Sequence, residues 1–237
     1  LSSDGYPTDR QVLQSLAVAA VPLLLIIAQP DLGTVLIIAA SVVTMIAISG
    51  ARSRWVIGLL TLGVTGIYLA VASGQVSEYQ LRRLRSFVDP LADPQASGYQ
   101  LRQARVTIGS GGLFGKGLFS GPQTNGRFVP EQHTDFIFTV SGEELGFLGS
   151  IIILILFMII LMRSFAIARR TTDLFGKMVC VGVISWFSFQ IFENIGMTMG
   201  LMPMTGVPLP FLSYGGSSMF ATMIGIGLIQ NVYQRSR

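Results

Sequence analysis

Apolar residues come in long runs along this chain, and polar residues collect between the runs. The first three extend from about Gln11 to Ala28, Leu32 to Ile48 and Trp55 to Ala72, and a long polar segment, Gly74 to His133, follows. Apolar character returns at Phe136, pauses at Glu143-Glu144 and becomes a full run from Phe147 to Ile167. Two further runs cover Met178 to Gly200 and Ser217 to Tyr233. Each run approaches the roughly 20 residues that cross a hydrocarbon core as a helix, so the pattern predicts six membrane-spanning helices. The expected fold class is an all-α polytopic membrane protein, one membrane domain over residues 1–237, with a large extracellular loop over 74–146. Pro22 falls inside the first run, where a proline kinks a membrane helix more often than it ends one. The runs are too long and too many for a cleavable leader, and the polar opening from Leu1 to Gly5 is expected to be the start of a truncated chain.

Composition agrees with the pattern. Hydrophobic residues make up 51% of the chain and charged residues 12%, with a mean hydropathy of +0.62; a soluble domain carries about twice that charged fraction. Cys180 is the single cysteine and His133 the single histidine, which excludes an internal disulfide and a Cys/His metal constellation. Arg52 and Arg54, then Arg169, Arg170 and Lys177, then Arg235 and Arg237 occupy alternate connections and the end of the chain. They share one side if all the runs cross, and short basic loops mark that side as cytoplasmic. The segment from 74 to 133 is then outside. Its cations, Arg82, Arg83, Arg85, Arg102, Arg105, Lys116 and Arg127, do not overturn this orientation, because loops of about 60 residues or more escape the charge rule. Two readings of them stand: a solvated or headgroup-facing surface, or an anion site for phosphate or pyrophosphate. No nucleic-acid partner is expected.

The stretch from Phe128 to Phe138 holds the densest candidate chemistry. Asp135 is followed at once by Phe-Ile-Phe, which predicts a carboxylate at the water–membrane boundary with its chain anchored in the bilayer, within reach of a lipid headgroup. Glu143 and Glu144 follow, but no nearby acid makes the close carboxylate pair of a retaining glycosidase; the local pattern fits one base better than a nucleophile–acid pair, the alternative being a partner carboxylate folded in from elsewhere in the chain. Upstream, Gly109 to Gly117 is glycine-dense. Such a run is either a tight turn or a stretch whose backbone N–H groups approach phosphate; it lacks the Ser/Thr of a nucleotide loop. Tyr99 to Ile108 is expected to form a short amphipathic helix on the membrane surface, with Arg102 and Arg105 on one face. Leu201 to Gly216 is apolar yet rich in Pro and Gly. Irregular backbone at membrane depth is tolerated only when packed in protein or lining a cavity, so this segment is expected to be a partly re-entrant outer loop. Gln190, Glu193 and Asn194 share one face of the fifth run, which predicts a polar stripe pointing into the bundle; Glu193 is either a buried acid paired to an arginine or a cavity-lining group.

Taken together, Gln29-Pro30-Asp31-Leu32-Gly33-Thr34, Ile108 to Gly117, Pro130 to Phe138, Glu143-Glu144-Leu145-Gly146, Gly206 to Pro210 and Ser213 to Ser217 resemble, in order, the SEDS family of bacterial cell-wall polymerases, the RodA/FtsW/SpoVE proteins. The Pro-Glu-x-His-Thr-Asp-Phe form is closer to the elongation branch than to the division branch. Gly121-Pro122-Gln123 departs from the family, which more often has Thr before the Gln. The resemblance implies a ten-span bundle of which this chain holds the last six spans, in the bacterial plasma membrane with its site outside. It also implies a peptidoglycan glycosyltransferase that polymerises lipid II with inversion and releases undecaprenyl pyrophosphate. Asp135 matches the family's essential acid and is expected to be the general base. Lys116, Arg102, Gln123, Glu131, His133, Ser213 and Glu193 are the expected substrate-binding or lining residues. A divalent cation, Mg or Mn, is an implied cofactor for which the sequence offers no dedicated cage. The implied partners are lipid II, membrane lipid and a class B penicillin-binding protein. Two other classes fit apolar helices with intramembrane acids: a lipid II flippase, which would carry repeated broken helices, and a non-catalytic scaffold for the transpeptidase.

Overall fold

The structure, a computed structural model, describes residues 7–29, 31–74, 78–88 and 97–236. Leu1 to Gly5, Pro30 of the first motif and the side chain of Arg85 lie outside the described residues. All regular structure among the described residues is helical: α1 (Asp9–Ile27), α2 (Leu32–Ile48), α3 (Ser53–Ala72), α4 (Glu78–Val88), α5 (Ser97–Ser110), α6 (Pro122–Asn125), α7 (Ile137–Arg170), α8 (Leu174–Met199) and α9 (Gly216–Arg235). The six apolar runs coincide with α1, α2, α3, α7, α8 and α9. Of these, α1, α3, α7 and α8 are both long and apolar enough to cross a membrane, while α2 is a shorter apolar helix. Pro22 sits within α1 without ending it. Within the segment from 74 to 133, α5 covers the short helix expected over Tyr99 to Ile108, while α4 and α6 are helices the sequence pattern does not predict. The charges of Glu78, Arg82, Arg83 and Arg85 mask the helical spacing of Leu81, Leu84 and Phe87 in α4.

The chain divides into two compact units. One gathers Leu1–Ser77, Ser164–Phe189 and Ile226–Arg237; the other gathers Glu78–Arg163 and Gln190–Gly225. In the first, α1 packs on α2 and α2 on α3. Asp9 at the start of α1 accepts a hydrogen bond from Trp55 Nε1 at 2.8 Å, pairs with Arg54, and lies 3.5 Å from Arg52. Much of the surface of α1 and α3 is exposed and apolar, as at Val18, Leu24, Val64 and Ile67, the composition expected of faces turned to lipid rather than water.

The second unit holds every candidate site residue, and its scaffold is the broken helix α7. Gly146 (φ 69°, ψ −167°) interrupts its 34 residues. In an unbroken helix the N–H groups of Phe147 and Leu148 would bond to the carbonyls of Glu143 and Glu144. Here the glycine-dense turn supplies all four missing partners. Lys116 N–H donates to the Glu143 carbonyl (2.9 Å) and Gly117 N–H to the Glu144 carbonyl (3.0 Å). Phe147 N–H donates to the Gly112 carbonyl (2.9 Å) and Leu148 N–H to the Leu113 carbonyl (3.1 Å). Backbone this close leaves no room for side chains. A Cβ on Gly115 (φ 80°) would fall 2.1 Å from the Glu144 carbonyl oxygen, and one on Gly146 would fall 2.2 Å from Gly115 N. The pause read at Glu143-Glu144 is therefore a splice between two stretches of chain.

Candidate functional site

Apolar anchors fix the Asp135 loop from both ends. Val129 and Phe136 are buried with Ala104 of α5 and Met204, and Phe138 packs with Phe157, Ile195 and Leu209. The anchoring thus differs from that expected. Phe136 and Phe138, each 4% exposed, are held in protein rather than in lipid, because α5, α8 and the 200–215 segment surround them. Between the anchors, Glu131 adopts a positive φ of 54°. Its carbonyl accepts N–H groups from Thr134, Asp135 and Phe136, each at 3.2 Å, and its carboxylate accepts the Thr134 hydroxyl at 3.1 Å.

Three successive carbonyls of this loop are gripped from elsewhere in the unit. Tyr214 N–H donates to the His133 carbonyl (2.8 Å). Ser213 Oγ donates to the Thr134 carbonyl (2.5 Å) while accepting Leu209 N–H (2.6 Å). Asn194 Nδ2 donates to the Asp135 carbonyl (2.8 Å) and to the Val207 carbonyl (2.7 Å), and Gln190 Nε2 donates to the Pro208 carbonyl (2.7 Å). The polar stripe of the fifth run therefore points inward and holds irregular backbone in place. It supplies the hydrogen bonds that the Pro/Gly segment cannot make with itself.

The Asp135 carboxylate itself is half-buried. It lies beside Gly206 (φ 79°), where a Cβ would sit 3.2 Å from Asp135 Oδ2 and 3.8 Å from Arg83 Nη1. Arg83 donates to the Met204 carbonyl at 3.2 Å. Burial raises the Asp135 carboxyl above its ordinary value, and the charge of Glu131 raises it further; Arg83 and the Thr134 hydrogen bond pull the other way without cancelling. The result is an acid on a rigid backbone that ionises less readily than a solvated one and, once ionised, is the stronger base.

The remaining sequence-derived residues divide by location. Glu131 and His133 are exposed on the Asp135 loop. Ser213 is buried (4% exposed) and Glu193 fully so, so both belong to the packed interior and neither lines an open surface. Gln123 accepts a hydrogen bond from Gln103 at 2.6 Å. Lys116 projects from the spliced turn, and Arg102 lies on the exposed face of α5. Arg105 on that face donates to the carbonyls of Met199 and Gly200 (3.1 and 3.2 Å), closing the C-terminus of α8. Three residues carry no sign of their roles in the sequence: Arg83 is one cation among seven, Asn194 is one member of a polar stripe, and Glu143 offers only its spacing from Asp135. Glu143 is fully buried. Its carboxylate accepts Ser110 Oγ (3.1 Å), Gln123 N–H (2.9 Å), Thr124 N–H (2.7 Å) and Thr124 Oγ1 (2.6 Å).

Among the described residues, no three His, Cys, Asp or Glu side chains cluster as metal ligands. Glu131, whose charge acts on Asp135, is an exposed carboxylate of the kind Mg²⁺ uses when substrate phosphate oxygens and water complete its shell.

A family model described as cell cycle protein, that of FtsW, RodA and SpoVE, matches residues 4–237. Stage V sporulation protein E of Bacillus subtilis (strain 168) is 40% identical over 228 residues, 96% of this chain and 61% of its own length. Peptidoglycan glycosyltransferase MrdB of Escherichia coli (strain K12) is 39% identical over 227 residues, with the same two coverages of 96% and 61%. A chain from a peptidoglycan synthase complex, solved to show how polymerization and crosslinking are coordinated, superposes with a TM-score of 0.74 at 31% identity, covering 93% of this chain and 62% of that one. Thermus thermophilus RodA, a rod shape determining protein, superposes with a TM-score of 0.59 at 30% identity, covering 96% of this chain and 58% of that one. The chain thus spans about three fifths of the length of the curated relatives it matches. With the match running over nearly its whole length, the chain belongs to the FtsW/RodA/SpoVE family.

Proposed function

We propose that the protein carrying this segment is a peptidoglycan glycosyltransferase that polymerises lipid II at the outer face of the bacterial plasma membrane, in the elongation branch of its family. The observation that carries the reading is Asp135: a half-buried carboxylate whose own carbonyl, and the two before it, are held by Asn194, Ser213 and Tyr214. Relatives named as peptidoglycan glycosyltransferases support the reaction class, and the likeness to a chain of a peptidoglycan synthase complex supports a transpeptidase of the class B penicillin-binding type as partner.

In the proposed reaction Asp135 takes the proton from the acceptor sugar's 4-hydroxyl. That oxygen attacks the donor's anomeric carbon in line, the bond to the pyrophosphate oxygen breaks, and the configuration inverts. A positioned base contributes roughly 10²–10⁴-fold, and a backbone gripped at three consecutive carbonyls keeps the geometry without reorganisation during the step. Lys116 and Arg102, both exposed, are proposed to neutralise the departing pyrophosphate. Glu131 is the residue that would hold a divalent ion, and such an ion would supply charge neutralisation of the leaving group.

The test is glycan polymerisation from purified lipid II by the full-length protein and its Asp135→Asn variant. Loss of roughly 10²-fold or more in the variant, with unchanged thermal unfolding or a higher midpoint, is the expected result. Wild-type turnover by the variant would remove Asp135 from the reaction, and lipid transport without polymer would favour a flippase.

A further inference from the structure

The spliced turn carries large apolar side chains that none of the described residues covers. Leu113 is 62% exposed, Phe114 80%, Leu118 63% and Phe119 84%. An exposed leucine by itself means little, but four such side chains within seven residues form a contiguous patch of the kind that marks an interaction site. Phe119 adds a second sign. Its φ of 59° is a left-handed conformation disfavoured for a bulky residue, and no packing of its ring within the chain offsets it.

What covers this patch follows from where the turn is attached. Phe147 and Leu148, whose N–H groups bond to the Gly112 and Leu113 carbonyls, open the apolar rod of α7, the most hydrophobic candidate span, with a hydropathy of 3.0. Their side chains are 58% and 47% exposed, and the exposed apolar surface continues down the helix through Ile152 and Ile155. The turn thus extends an exposed apolar surface whose composition suits hydrocarbon. Lys116, exposed at its tip, has the charge that suits anionic headgroups.

We propose that residues 112–119 are a membrane-interface anchor. Phe114 and Phe119, with Leu113 and Leu118, enter the boundary between headgroups and acyl chains, and Lys116 sits at the depth of the phosphates. Aromatic rings favour that depth. Because Lys116 and Gly117 of the same turn bond to the Glu143 and Glu144 carbonyls of α7, this anchor fixes the height of the site unit relative to the bilayer. A second turn of chain, rather than the end of α7 alone, then sets the depth at which a lipid-linked headgroup is met.

The test uses the full-length protein with its accessible cysteines and Cys180 replaced, reconstituted in vesicles of phosphatidylcholine and phosphatidylglycerol. A spin label is placed singly at Phe114→Cys, at Phe119→Cys and, as an exposed reference beyond α6, at Arg127→Cys. Power saturation then compares accessibility to oxygen, which partitions into lipid, with accessibility to a water-soluble nickel chelate. The ratio at 114 and 119 is expected to exceed that at 127 several-fold. Ratios at 114 and 119 no higher than at 127 would place the turn in water, and low accessibility to both agents at 114 and 119 would show a protein partner over the patch; either result overturns the proposal. All three side chains are exposed, and thermal unfolding of each labelled protein checks that the packing is intact.

Discussion

Asp135 and Glu143 are two acids on one short stretch of chain with opposite surroundings. Glu143 is buried and receives hydrogen bonds from Ser110, Gln123 and Thr124, and its side chain organises the start of α6. Asp135 is gripped through its backbone, while its carboxylate has Glu131 and Arg83 as charged neighbours and a hydrogen bond with Thr134. A carboxylate saturated with donors holds structure together and has no lone pair left for chemistry. A carboxylate whose main chain is immobilised instead keeps its oxygens available. Position in the sequence does not distinguish them; the destination of the surrounding N–H groups does.

Substitutions at the two acids are the strongest way to break this comparison. Glu143→Ala leaves the Gln123 N–H and the N–H and hydroxyl of Thr124 without their acceptor and is expected to cost about 3–5 kcal/mol, seen as a large drop in the thermal midpoint of the detergent-solubilised protein. If Glu143→Ala unfolds at the wild-type temperature, the structural role assigned to this acid is wrong. Gly115→Ala tests the splice that Glu143 shares. A side chain there meets the Glu144 carbonyl and a positive φ, so a loss of about 2–4 kcal/mol is expected. Asn194→Ala removes both donors to the Asp135 and Val207 carbonyls and should cost about 1–3 kcal/mol. Its effect on polymerisation should exceed what that loss of stability explains, and activity measured well below the unfolding midpoint separates the two.

The smallest effects concern protons. Burial raises the folded-state value of Asp135, so the folded chain holds this proton more tightly than the unfolded chain does. That contribution to stability is complete below the unfolded value and is lost as pH rises through the folded one. Asp135→Asn is therefore expected to unfold at a higher temperature than wild type at neutral pH and to lose that advantage in acid. Activity needs the ionised carboxylate, so the acid limb of the pH–rate profile should lie above that of an unperturbed aspartate. Glu131→Gln removes a charge that raises Asp135 and should move this limb to lower pH; movement to higher pH would contradict the arrangement described.

The sequence made much of this legible. The apolar runs locate the long helices to within a few residues because membrane spans are written in composition. The halt at Glu143-Glu144 marks the break in α7, and the Gln190–Asn194 stripe faces inward as its spacing requires. Other features left no periodic trace. Arg83 reaches the Met204 carbonyl across 121 positions of sequence, and Asn194 reaches the Asp135 carbonyl across 59. Side chains that bond to distant main-chain carbonyls follow no spacing rule. Ser213 reads as a lining group because a polar residue in an apolar stretch has the same signature whether it meets a substrate or an internal carbonyl.

The splice at Gly146 has a consequence for how this unit opens and forms. The amides of Lys116, Gly117, Phe147 and Leu148 depend on one another, so none can exchange with deuterium unless both strands part together. They should behave as one cooperative block with a common opening energy. The ribosome delivers the glycine-rich strand first, so the piece that closes the gap is already present when the gap emerges.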